Sequence, residues 1–138
     1  MREIKFRGKT ICEQPRWAYG SLIQYEDVSA DIHGIDIFKD SENSVMFTQV
    51  DQNTIGQFTG LKDNNGVEIY EGDIVVVTNL MVDGFDEQML TSIVYDEELA
   101  CFDFKASDRQ RCVCTSVLDV ELEVIGNIFD NPELLEKE

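Results

Sequence analysis

The side chains of this chain that can do chemistry are mostly carboxylates and thiols. Glu71 and Asp73 flank Gly72, and Asp96-Glu97-Glu98 form a second local acidic group. Paired carboxylates act as general acid and base only where a pocket separates their pKa values, and a chain with 28 acidic residues places acids side by side by chance. A cysteine nucleophile needs a base or a helix terminus beside it. The only histidine is His33, and nothing in the sequence brings it to a thiol. Gly60, Gly66 and Gly72 recur every six residues without the GxGxxG or GxxxxGK spacing that cradles phosphate, so turns account for them better. These patterns assign no catalytic, cofactor-binding or metal-binding residue and imply no cofactor.

The four cysteines invite a metal or disulfide reading that their spacing resists. Cys112 and Cys114 lie two apart in the strand-like run Arg111 to Val117. Their Cα atoms would be separated by roughly 6.6 Å at about 3.3 Å per residue, which strains a bridge. Cys12 and Cys101 are isolated, and no Cys-x-x-Cys pair exists. A four-thiolate zinc site from Cys12, Cys101, Cys112 and Cys114 is the alternative to small buried hydrophobes in a reducing compartment, and the latter is favoured.

These residues must be positioned by a mainly β chain. Its 138 residues suffice for a buried core without staples, as one domain or a barrel with an appendage. No window reaches the eighteen consecutive apolar residues of a membrane helix, and MREIKFRGK lacks a following apolar signal region, so the cytoplasm is the expected compartment. The net charge of −17 is uneven. Residues 1–16 hold five basic groups (Arg2, Lys5, Arg7, Lys9 and Arg16) against two acids (Glu3 and Glu13), so the rest carries the acidity. Such a field repels nucleic acid from most of the surface. The basic N-terminal segment remains able to contact phosphate or the acidic body of a neighbouring subunit.

The stretch Gln57 to Val77 organises the fold. Asp63-Asn64-Asn65-Gly66 predicts a tight turn with Gly66 at positive φ. In Val67-Glu68-Ile69-Tyr70 the alternation sets Val67 and Ile69 on one face. Gly72 ends that strand, and the β-branched run Ile74 to Thr78 predicts a central strand covered on both faces. Upstream, strands are expected around Ile4 to Gly8, Trp17 to Tyr25 and Ser44 to Val50, with a hairpin turned at His33-Gly34 preferred over one irregular strand between Asp27 and Lys39. The lone Trp17 reads as core or rim packing before a stacking platform. Downstream come an acidic loop at Met81 to Glu87, the most mobile segment by composition, and a hairpin with strands Thr91–Tyr95 and Ala100–Phe104. A turn at Asp108 to Arg111 and a strand alternating apolar and acidic residues from Leu118 to Val124 follow. Asn131 and Pro132 open a short helix over 132–137, docked by Leu134 and Leu135.

At GLKDNNGVEIYEGDIV the chain resembles the YopX family of phage and prophage proteins. Its opening, Met1-Arg2-Glu3-Ile4-Lys5-Phe6-Arg7, and its ending, Glu123 to Leu135, are similar to those of the family, in the expected order. The resemblance implies a mainly β protein of mobile-element origin with a small SH3-like β-barrel at 55–138, preceded by a β-rich subdomain at 1–54 and closed by the short helix. It transfers no catalytic residue. Three functions are carried forward. The first is a non-enzymatic protein–protein interaction module, able to form a homo-oligomer through sheet edges or the N-terminal segment. The second is an acidic mimic of nucleic acid that occupies a host DNA-binding protein. The third is a small enzyme with its site at the barrel mouth.

Overall fold

The computed structural model describes residues 2–26, 31–39, 44–79, 87–105 and 120–136. The chain divides into two compact units, Met1–Phe58 and Thr59–Glu138. The expected turn at Asp108 to Arg111, the strand-like run through Cys112 and Cys114, and the acidic loop at Met81 to Glu87 up to its last residue lie outside the described residues.

The first unit is an antiparallel sheet. Strands β1 (Phe6–Lys9), β2 (Trp17–Glu26), β3 (Asp31–Lys39), β4 (Ser44–Gln49) and the start of β5 (Gly56–Lys62) are ordered β4-β3-β2-β1-β5. Opposed pairs share a face, so Phe6, Ala18 and Leu22 pack together with Val50 and Ile55 in a small core. Across the sheet, Lys9 stands opposite Trp17 and Arg7 opposite Tyr19. The guanidinium of Arg7 lies 4.7 Å and Lys9 Nζ 5.8 Å from the Trp17 ring centroid. Trp17 is half-buried, and cations cover its face.

The hairpin expected at His33-Gly34 is not formed. Asp31 to Lys39 is one continuous strand, with His33 opposite Gln24 and Gly34 opposite both Ile23 and Gln49. A glycine flanked by strands on both sides can stay extended, and pairing from two neighbours outweighs its local turn tendency.

The polar stretch after β4 is built in. Asp51 Oδ1 accepts from the Asn53 N–H at 3.0 Å and caps a short 3-10 turn, Gln52–Thr54. Thr54 donates to the Asp51 carbonyl at 2.7 Å and accepts from the Lys9 N–H at 2.8 Å, tying the turn to β1.

The second unit contains the end of β5, β6 (Glu68–Tyr70), β7 (Asp73–Asn79), β8 (Glu87–Asp96), β9 (Cys101–Phe104) and β10 (Val120–Asn127). The last four form an antiparallel sheet ordered β10-β7-β8-β9, so the aliphatic run is an internal strand as its composition requires. Val75 and Val77 share a face with Val124 and Leu122 of β10. They join Ile69, Ile93 and Phe104 in the main core, where each fully buried aliphatic side chain contributes about 1.5–3 kcal/mol. On the opposite face Ile74 is fully buried, whereas Val76 and Thr78 are half-covered. The mainly β class is as expected; the described strands form two antiparallel sheets, with no closed barrel among the described residues.

Two local expectations change. Tyr70 is as buried as Ile69, and Val67 is exposed, so β6 does not alternate cleanly. The final helix, α1, spans only Glu133–Glu136, one turn. Asn131 does not cap it with its side chain: Asn131 Oδ1 accepts from the Asn127 N–H at 3.3 Å, while its carbonyl accepts from the Leu134 N–H at 3.1 Å. Leu134 is half-buried and Leu135 exposed, so Leu134 alone of the pair is covered.

Candidate functional site

The signature carboxylates serve the backbone. Asp63, 7% exposed, accepts from the Asn65 and Val67 N–H groups through Oδ1 at 2.9 and 2.8 Å, and from the Val124 N–H through Oδ2 at 2.9 Å. One oxygen shapes the turn and the other fastens it to β10. The Asn64 N–H, bonded to the Leu122 carbonyl at 3.0 Å, repeats the link. Asp73, 2% exposed, accepts from the Tyr70 N–H at 2.7 Å across the Glu71-Gly72 reversal. Backbone donors disperse the charge of a buried carboxylate and make burial tolerable. Of the acidic pair flanking Gly72, Asp73 is thus a turn clamp, and Glu71 is half-buried in the turn itself.

The second acidic group forms the tip of the β8–β9 hairpin. Asp96 Oδ1 accepts from the Glu98 and Leu99 N–H groups at 2.9 and 3.2 Å, closing the turn and leaving the Glu97 and Glu98 side chains in solvent. Ala100 follows at φ 53°, a left-handed conformation that costs a non-glycine residue energy. Leu99 is 51% and Tyr95 45% exposed. Tyr95 is directly opposite Phe102, ring to ring at 5.3 Å and 71°, an edge-to-face contact that stiffens the base of the tip. Residues 87–104 contain five acids and no Lys or Arg. The tip therefore presents two large apolar side chains within a wholly anionic hairpin.

The third feature is a cleft of about 500 Å³ in the first unit, built by the loop that joins β1 to β2. Thr10 holds the loop closed: its N–H donates to the Arg16 carbonyl at 2.9 Å, and its hydroxyl accepts from the Arg16 N–H at 3.0 Å. The Cys12 thiol donates to the Gln14 carbonyl at 3.1 Å and lies 3.3 Å from the Thr10 hydroxyl. Across the opening stand Thr48 and Gln49, whose carbonyl accepts from the Ile11 N–H at 3.3 Å. Among the described lining residues Arg16 is the charged one, and Ile11, 61% exposed, is apolar. Hydroxyls, carboxamides and a guanidinium suit binding of a carboxylate. The thiol is directed at a carbonyl, and no His, Asp or Glu is among the described residues that line the cleft.

Cys12 is therefore exposed, contrary to its reading as a buried hydrophobe, because it lies in the loop joining β1 to β2 and not in a strand. Cys101 is half-buried in β9, and both are free thiols. His33 lies within β3. Among the described residues, no three His, Cys, Asp or Glu side chains gather as a metal site. No described helix is long and apolar enough to cross a membrane. The cleft has no local signature because it brings Thr48 and Gln49 beside the β1–β2 loop, whereas the β8–β9 hairpin is formed as expected. The three acids at 96–98 predict the turn but not the exposure of Leu99 that follows them.

Comparison with known proteins gives a family and a likeness to solved structures. The family model described as YopX protein matches residues 5–136, nearly the whole chain. No curated protein matches it. The chain is similar to a structure titled crystal structure of protein EF1440 from Enterococcus faecalis. The TM-score is 0.59 and the identity 26%, and the match covers 98% of this chain and 99% of that one.

Proposed function

The chain belongs to the YopX protein family, and on that premise we propose that it is a non-enzymatic protein–protein interaction module of a phage or prophage. The observation that carries this reading is the β8–β9 tip. An exposed leucine and tyrosine on a hairpin braced by an Asp96 turn and an aromatic pair are what an interface anchor requires: large apolar surface held at low entropic cost. The buried signature carboxylates add support, since both are committed to backbone N–H groups.

The test is capture from host lysate by the wild-type chain and by a Tyr95→Ser/Leu99→Ser variant, followed by mass spectrometry. A partner held by the wild type and lost by the variant supports the module. No partner and no self-association at micromolar concentration would sink it. A second reading is an acidic decoy for a DNA-binding protein, favoured by the 19 acids against five bases in residues 59–138. It requires binding that falls steeply with salt and survives loss of Tyr95 and Leu99.

A further inference from the structure

We infer that the cleft beside Arg16 is a docking site for the β8–β9 tip of a second copy of this chain, in a head-to-tail contact. The inference rests on the interaction-module reading and names one partner for it. The two surfaces are complementary in charge and in chemistry. The cleft offers a guanidinium at Arg16, an exposed aliphatic side chain at Ile11 and hydrogen-bonding groups at Thr48 and Gln49. The tip offers carboxylates at Glu97 and Glu98 beside the exposed Leu99. A cleft of about 500 Å³ admits a leucine side chain with a carboxylate at its rim. The segment carrying the cleft, residues 1–16, has five bases against two acids, whereas the hairpin from 87 to 104 has only acids. Each copy carries one cleft and one tip, so the contact is heterologous and propagates to a ring or an open chain.

The experiment is sedimentation velocity on the full chain over a concentration series, at about 50 mM and about 500 mM salt, which shortens the screening length severalfold. Wild type should associate with rising concentration at low salt and revert toward monomer at high salt. Arg16→Gln alone and Glu97→Gln/Glu98→Gln alone should stay monomeric. An equimolar mixture of the two variants should form a species limited to two chains, because one retains only a working tip and the other only a working cleft. All three positions are solvent-exposed side chains, and a misfolded variant could not complement in the mixture. A monomeric wild type, or a mixture that stays monomeric, overturns the inference. If lysate capture then still depends on Tyr95 and Leu99, the module reading stands without it; if capture fails too, both fall.

Discussion

Asp63 and Gly66 sit in one turn and fail differently when changed. Gly66 has φ +84° and open space where a Cβ would stand, so Gly66→Ala carries only a backbone penalty. It should cost about 1–2 kcal/mol by chemical denaturation, and an unchanged midpoint would refute the left-handed geometry. Asp63 has both oxygens occupied, two bonds on one and one on the other. In Asp63→Asn the carbonyl oxygen can keep the Asn65 and Val67 bonds, but the amide then points its own hydrogens at the Val124 N–H. That leaves a buried donor unmatched and should cost about 2–3 kcal/mol, more than Gly66→Ala. Equal or smaller loss would show that the link to β10 contributes little.

Elements with a local signal were legible in the sequence, and those defined by pairing were not. The β-branched run made β7 internal, the Asn65-Gly66 dipeptide fixed its turn, and alternation in Glu121-Leu122-Glu123-Val124 matches exposed acids and covered aliphatics in β10. His33-Gly34 misled because a glycine's turn propensity is local, whereas its extended state comes from two neighbouring strands. The Asp63 contact to Val124, 61 residues away, has no local signature either. Nor does the packing of β1 on Val50. A Cβ at Gly8 would stand 2.8 Å from both Val50 Cβ and Cγ2, and Val50 is only 2% exposed, with no flexible end to yield. Gly8→Ala should therefore cost about 1–3 kcal/mol through overpacking. Gly8→Ala combined with Val50→Ala should recover part of that loss in a double-mutant cycle, and simple additivity would place the clash elsewhere.

The acidity of the whole molecule is divided unequally between its units. Residues 59–138 hold 19 acids and five bases, a net of −14, while residues 1–58 hold nine acids and six bases, a net of −3. Like charges gathered on one compact body repel, and folding brings them closer than they lie in the unfolded chain. Salt screens that repulsion over a length that falls from about 30 Å at 0.01 M to about 10 Å at 0.1 M. Stability of the second unit should therefore rise with salt by roughly 1 kcal/mol, or about 4–8 °C in Tm at low protein concentration. Trp17 is the only tryptophan and lies in the first unit, so its fluorescence reports that unit while far-UV circular dichroism reports both. With about a fifth of the net charge of its neighbour, the first unit gains less from screening. Salt should then shift the dichroism transition upward more than the Trp17 transition. Equal shifts by the two probes would mean that the units melt as one cooperative body, and a Tm that falls with salt would mean that attractive charge contacts outweigh the repulsion.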